Sequence, residues 1–428
     1  MKDNRRNFIK KSVMTAAGVS VMPAGLFAQK VAPSDQVNVG LIGCRGKGYN
    51  LLRNHLNIPG VKVIGMADVD KNVLEERAGD VLTNFKQKPK LYGDYRKMLE
   101  DKDLDAVIIG TPDHWHCLNL VHACQAGKDV YVEKPLANSI EECNVMVAAK
   151  DRYNRVVQVG QQQRSMTLFN EIMDYIKSGK IGTLTKVNIW GNFDYGLGLP
   201  KVPDQPVPEG VDFDFWLGPA PKRTFNPSRF HGKWRHFWDY GGGLMTDWGV
   251  HLIDMALWAK DATYAPTVVM ASGHNLTHLD HARETYETLS VVYKMKDYTI
   301  NWDHTASAKV GPYGMSYGIE FIGDEGTVVA DRSKYYIYAG GERIEKEMDK
   351  QDDHAENFIQ CIKTRETPKC PIEAGRNVAL YAHMGNIAVR SGENMLVWDE
   401  AKNKFTNSEK ANGYIQPEYR KPWEFPKV

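Results

Sequence analysis

None of the six cysteines (Cys44, Cys117, Cys124, Cys143, Cys361 and Cys370) stands in a C-x-x-C or other zinc-like spacing. That excludes a zinc module or a dense disulfide scaffold. Four of them fall in segments that read as buried strand ends or helices, where free thiols belong. Cys361 and Cys370 could pair in an oxidising compartment. An excess of one charge sign is also missing, since 54 Lys and Arg face 53 Asp and Glu. Without a basic surface for phosphate backbones, no nucleic acid partner is expected. No apolar run approaches the ~20 residues a spanning helix needs, so no stable membrane insertion is expected. Repeats and low-complexity tracts are absent, which excludes a solenoid or an array.

What is present is a soluble composition, 42% hydrophobic and 25% charged, over 428 residues. That length points to about two domains. Residues 1–28 are set apart as a targeting segment. They carry Arg5-Arg6-Asn7-Phe8-Ile9-Lys10 before an uncharged, mildly apolar stretch from Ser12 to Ala28. Paired arginines followed by a bulky apolar pair resemble the twin-arginine signal, which exports folded proteins to the periplasm. Cleavage after Ala28 fits, although Leu26 stands where a small residue is preferred.

Short apolar runs alternate with helical patterns from Val37 onward. Strands are expected at Val37–Gly43, Val61–Asp68, Leu104–Gly110, Asp129–Glu133 and Val156–Gly160, with helices such as Cys117–Ala126 and Ile140–Arg152 between them. This spacing implies βαβ units and a parallel sheet over residues 35–160. From 161 to 428 the texture changes. Strand-like runs from Thr183–Trp190 to Tyr335–Tyr338 have few helices between them, so a mainly antiparallel open sheet is expected. Helices are expected at Gly243–Trp258, His354–Arg365 and Arg376–Arg390. The fold class is therefore α/β, a parallel-sheet domain followed by an α/β domain.

Ligands on parallel sheets bind at the carboxyl ends of strands, where Gly43, Asp68, Thr111 and Lys134 fall. Gly43, Gly46 and Gly48 occupy the place of a phosphate-binding turn, with Arg45 where the G-x-G-x-x-G pattern has glycine. About twenty residues further on, Asp68 can accept from ribose hydroxyls and repel a 2′-phosphate. NAD is therefore preferred over NADP, although the Arg45 guanidinium could pair with a phosphate. Lys134, closing the fourth strand, could hold a substrate hydroxyl and assist its proton transfer. Asp247 and His251, at i and i+4 of an expected helix, would share a face and let the carboxylate orient the imidazole. A metal site is a rival use of that spacing, with His274, His278 and His281 as further ligands, but none is expected. Residues 192–240 hold eleven aromatics, including Phe193, Tyr195, Trp234 and Trp238. They suit either sugar stacking or packing of a long loop on its own domain.

With Thr111-Pro112-Asp113-His114-Trp115-His116, Glu133-Lys134-Pro135, Gly160–Arg164, Trp216–Pro221 and Gly241–Asp254 in view, the chain resembles the Gfo/Idh/MocA family of oxidoreductases. The likeness runs from about Val37 to the C-terminus. It implies a Rossmann domain and a second domain that supplies substrate contacts and oligomer interfaces, hence a homo-oligomer, dimer or tetramer. It implies Lys134 as catalytic lysine, His251 as general base or acid, Asp247 as the neighbouring carboxylate, and Asp68 as the ribose-binding acid. The expected cofactor contacts are Gly43, Arg45, Gly46, Gly48, Asp68, Thr111, Pro112, His116, Glu133 and Lys134. The expected activity is NAD-dependent oxidation or reduction of a hydroxyl or keto carbon on a sugar, glycoside or polyol. Export without a free cofactor pool implies tightly bound NAD. An NAD-dependent glycosidase working through a transient keto-sugar is the alternative. The loop Gly191–Gly198 lacks the tyrosine-and-histidine motif expected for that activity. A sugar-binding protein without chemistry is the third reading.

Overall fold

The structure, a computed structural model, describes residues 35–347 and 353–428. The twin-arginine-like segment lies outside the described residues. The first domain runs β1 (Val37–Ile42), α1 (Gly46–Leu56), β2 (Val61–Ala67), α2 (Lys71–Phe85), β3 (Lys90–Tyr92) and α3 (Tyr95–Leu99). It continues with β4 (Ala106–Ile109), α4 (Asp113–Gln125), β5 (Asp129–Val132), α5 (Ile140–Tyr153) and β6 (Val157–Val159). All six strands are parallel, in the order β3-β2-β1-β4-β5-β6. Strands covered on both faces read as continuous apolar runs, and β4 and β5 are buried throughout. The short β3 leaves no such signature, because Lys90 and Leu91 are exposed. Order reverses between β1 and β4, and the crevice opens at that switch point. Two helices beside it are capped by their own sequence: Asp70 accepts from Asn72 N (3.0 Å) and Val73 N (3.3 Å), and Ser139 Oγ accepts from Glu142 N (3.2 Å).

The second domain begins with α6 (Thr167–Lys177), β7 (Leu184–Gly191), β8 (Leu199–Pro200), α7 (Phe213–Leu217) and α8 (Val250–Ala259). Strands β9 (Val268–His274), β10 (His281–Ala282), β11 (Thr288–Lys294), β12 (Thr299–Thr305), β13 (Tyr317–Gly323), β14 (Gly326–Ala330), β15 (Lys334–Ala339) and β16 (Glu342–Glu347) follow. The chain ends with α9 (His354–Thr364), α10 (Ile372–Ser391), β17 (Met395–Asp399), β18 (Lys404–Phe405) and α11 (Glu409–Asn412). Ten strands form one open sheet, β16-β15-β14-β13-β7-β12-β11-β9-β17-β18, antiparallel except for the β7–β12 pair. Inward residues such as Ile300, Trp302, Ile319 and Phe321 pack under α6, α8 and α10. The other face carries polar pairs, for example Asn188 Nδ2 donating to Glu320 Oε2 (2.6 Å). Strand β16 is exposed along its whole length and alternates charge, the pattern of a protected edge rather than of a buried strand.

The α/β class is as expected, but the second half of the chain returns to the first. Helix α9 lays Phe358, Ile359 and Cys361 into the core beneath α1. Val159 N donates to Cys370 O (3.0 Å), and Trp423 packs edge-on against Trp115, with centroids 4.9 Å apart. The Cys361–Cys370 pairing is corrected. All six cysteines are free and buried. Cys361 belongs to the cluster under α1 and α9, and Cys370 to the one under α4 and α5, on opposite faces of the parallel sheet.

Candidate active site

The turn after β1 is shaped as an anion cradle. Gly43 has φ +84, and a Cβ there would lie 2.8 Å from Thr111 N. At Gly48 a Cβ would lie 1.9 Å from Gly43 O, so this glycine serves close packing of α1 on the strand and does not line the crevice. Gly46, at φ +36 with nothing near a would-be Cβ, opens the space above the turn. Arg45 takes an ordinary extended conformation (φ −81) and is exposed, so the departure from the glycine pattern costs no backbone strain. No side chain caps α1, and although Gly48 N donates to Arg45 O (2.9 Å), the amides of Gly46 and Lys47 are left for a diphosphate.

Asp68, at the end of β2, is held by two amides. Its Oδ2 accepts from Cys44 N (2.6 Å) and its Oδ1 from Asp70 N (2.9 Å). Burial pushes its carboxyl up to about 6, against the lowering effect of those bonds. Ribose hydroxyls would donate to the ionised form, so binding is strongest above that value. Affinity for NAD should fall as pH drops below about 6, by up to about tenfold per unit. Calorimetric titration from pH 8 to pH 5 checks this, and Asp68→Asn should flatten the profile.

The crevice, about 1110 Å³, is lined by Gly43, Arg45, Asp68, Thr111, Pro112 and Lys134 among others. His116 is corrected. It lies fully buried beneath the crevice, its ring nitrogens facing the carbonyls of Pro135 (2.8 Å) and Thr111 (3.0 Å). It ties the β4–α4 turn to the Lys134 turn and touches no ligand space. Glu133 lies 3.3 Å from Lys47 Nζ. Trp115 Nε1 donates to Trp216 O (2.8 Å), and a Cβ at Gly218 would lie 2.2 Å from the Trp115 ring. Two distant sequence motifs are therefore one packed unit.

The aromatic loop packs chiefly on itself. Phe213, Trp216, Phe225, Phe230, Phe237 and Tyr240 are buried in one cluster. It straps across the crevice mouth: Lys71 N donates to Gly210 O (2.9 Å), Asp212 N to Val69 O (2.9 Å), and His231 Nε2 meets Asp70 Oδ2 (3.0 Å).

At the other end of the crevice, Lys134 Nζ donates to Asp247 O (2.7 Å) and to Asp247 Oδ1. Arg235 Nε stands 3.1 Å from the same Oδ1, and Tyr195 OH donates to Oδ2 (2.6 Å). Burial alone would raise the Asp247 pKa, but Arg235 and Lys134 outweigh it and hold the carboxyl well below the usual range. Burial, with the Arg332 and Lys134 charges, holds His251 well below an ordinary imidazole. Burial and then the Asp247 charge push Tyr195 up.

The expected Asp247–His251 pairing is corrected. Residues Met245–Gly249 form a π-helical turn before α8 begins. The wider turn breaks the i, i+4 stacking of a regular helix, and Asp247 turns to Lys134 instead. His251 Nδ1 is buried without a partner. Asp254, one turn on, forms an ion pair with Arg164 (2.7 Å). Among the described residues, no group of three or more His, Cys, Asp or Glu side chains is arranged to hold a metal ion. No described helix is long and apolar enough to cross a membrane.

Arg235 and Arg332 escaped the sequence reading. Arg235 sits among aromatics, stacked 4.4 Å from the Trp234 centroid, and Arg332 lies in a polar turn. Neither carries a periodic signal, and both reach the site across long stretches of chain.

Residues 37–161 match the family model described as an oxidoreductase family NAD-binding Rossmann fold, and residues 166–425 match its C-terminal alpha/beta domain. The chain belongs to the Gfo/Idh/MocA oxidoreductase family. The family ties this crevice to a nicotinamide cofactor, and the glycine cradle, free α1 amides and Asp68 fit one. A glycosyl hydrolase family 109 protein from Shewanella pealeana is 31% identical over 172 residues, 36% of this chain and 38% of that protein. The chain thus spans little more than a third of that relative's length. An uncharacterized oxidoreductase, YrbE, from Bacillus subtilis is 25% identical over 304 residues, 70% of this chain and 75% of its own. Among solved structures, aldose-aldose oxidoreductase from Caulobacter crescentus, complexed with glycerol, aligns at TM-score 0.66 and 16% identity over 85% of this chain and 100% of its own. Levoglucosan dehydrogenase in complex with NADH aligns at 0.63 and 18%, over 85% and 100%. At these identities the likeness establishes the fold.

Proposed function

We propose that the protein oxidises or reduces a hydroxyl-bearing carbon of a sugar, glycoside or polyol, using NAD in preference to NADP. The observation that carries this reading is the Lys134–Asp247–Arg235–Tyr195 cluster beside His251, at the end of a crevice that begins in the glycine cradle. When bound, the nicotinamide supplies the hydride acceptor or donor. Lys134 commits two N–H groups to Asp247 and keeps a third for the substrate oxygen, where it stabilises developing alkoxide charge. His251 is the proton acceptor. Its lowered pKa keeps it neutral near pH 7, and its buried Nδ1 has no protein partner among the described residues. Asp247 stays ionised, positions Lys134 and moves no proton.

Asp68 supports NAD by repelling a 2′-phosphate. The strap pinned at Asp70, Lys71 and Val69 supports a cofactor retained through turnover. That suits the twin-arginine-like segment and a periplasmic location reached in the folded state. The polar face of the ten-stranded sheet supports a homo-oligomer.

A second reading, hydrolysis through a transient keto-sugar, is favoured by the family 109 relatives and by one contact. Tyr195 and His236 stand 6.2 Å apart between ring centroids, so the fold brings together a tyrosine and a histidine that no local motif displays. Mass spectrometry of products from free sugars and aryl glycosides separates the readings. A keto-sugar is expected from oxidation, and a released aglycone without net cofactor reduction would favour hydrolysis. No product from any compound would leave sugar binding.

A further inference from the structure

Arg332 lies between β14 and β15, half-buried, with its guanidinium carbon 4.4 Å from the Trp248 ring centroid. Its side chain donates to one acceptor among the described residues, Gln163 Oε1, through Nε (3.2 Å) and Nη2 (2.9 Å). That acceptor is a neutral amide. The neighbouring cations are committed to carboxylates: Lys134 and Arg235 to Asp247, Lys47 to Glu133, Arg164 to Asp254. Arg332 has none among the described residues. A guanidinium has five N–H donors, so three remain, enough for a two-point contact with an oxyanion.

The surroundings hold this fork in place. Trp248 stacks on Phe193 (4.3 Å) and packs against Tyr317 (4.6 Å), making an aromatic floor. The Trp248 ring stands 6.0 Å from His251. The guanidinium, 4.4 Å from the indole centroid, and the His251 ring, 6.0 Å from it, therefore both stand against the same indole. Arg332 is also the largest electrostatic influence on His251 after burial itself. A half-buried cation with no carboxylate in contact is costly in an unliganded protein and becomes favourable when a ligand brings the charge.

We infer that Arg332 is a specificity residue that binds the carboxylate of an acidic sugar, a uronic or aldonic acid, while His251 faces one of its ring hydroxyls. This rests on the oxidoreductase reading above. The test uses NAD-loaded wild type and Arg332→Met with matched pairs, glucose with glucuronate and galactose with galacturonate, followed by calorimetry and by nicotinamide absorbance. Glucose 6-sulfate serves as the non-carboxylate anion. Wild type is expected to bind the acids at least about tenfold more tightly than their neutral partners. Arg332→Met should erase that preference, raising KM for the acids at least about tenfold more than for the neutral sugars, while any change in kcat that comes through His251 is shared by both. Equal binding of acids and neutral sugars by wild type would overturn the inference, as would an equal loss of both in the variant. Tighter binding of the sulfate than of either acid would overturn the carboxylate assignment. Arg332-dependent binding of acids without any nicotinamide reduction would keep this inference and remove the oxidoreductase reading. Turnover of neutral sugars alone would do the reverse.

Discussion

Replacing Lys134 by methionine is expected to lower kcat/KM by about 10²–10³-fold, the loss that follows removal of one donor aimed at a developing oxyanion. The methionine keeps an unbranched side chain, one atom shorter, and removes three N–H groups. Two of these hold Asp247 and the third is the one offered to substrate. Asp247 retains Arg235 and Tyr195, so the carboxylate stays paired and the fold should survive. NAD affinity should stay within a few-fold of wild type, because the glycine cradle and Asp68 lie at the other end of the crevice. Steady-state kinetics beside calorimetric NAD titration measure both quantities. A variant that lost affinity and kept kcat would assign Lys134 to cofactor binding alone.

His251→Ala should lower kcat by about 10²–10⁴-fold, the range for removing a positioned acid or base. The pH profile sharpens this expectation. Burial, with the Arg332 and Lys134 charges, depresses the imidazole pKa, so the neutral base form persists as pH falls and is lost only on passing below that depressed value. Wild-type kcat at saturating NAD should therefore show no acid limb near pH 6.5. kcat/KM for NAD should still weaken below about 6, through Asp68. A kcat limb near 6.5 that disappears in His251→Ala would mean that substrate binding relieves the burial.

The parallel sheet was legible because its strands are buried on both faces, which writes continuous apolar runs into the sequence. Asp68 and Lys134 were legible because strand ends place them at the crevice whatever the loops do. Strands β3 and β16 were not, since exposed edges carry no apolar period. The partner of Asp247 was not legible either. Spacing alone describes a regular helix, and a π-helical turn leaves no sign in Met245-Thr246-Asp247-Trp248-Gly249. Arg235 and Arg332 became visible only when the chain closed on itself, and they decide the charge at the site. Cys361 and Cys370 show the converse error: an oxidising compartment would allow a bond that a sheet between them prevents.

Single-turnover absorbance of NAD-loaded protein mixed with a panel of neutral and acidic sugars tests the central claim most directly. The account predicts reduced nicotinamide, up to one per site, with at least one sugar, on a burst that Lys134→Met and His251→Ala both slow by orders of magnitude. A wild-type burst that neither substitution slows would contradict it, and so would the absence of any burst from protein shown to hold NAD.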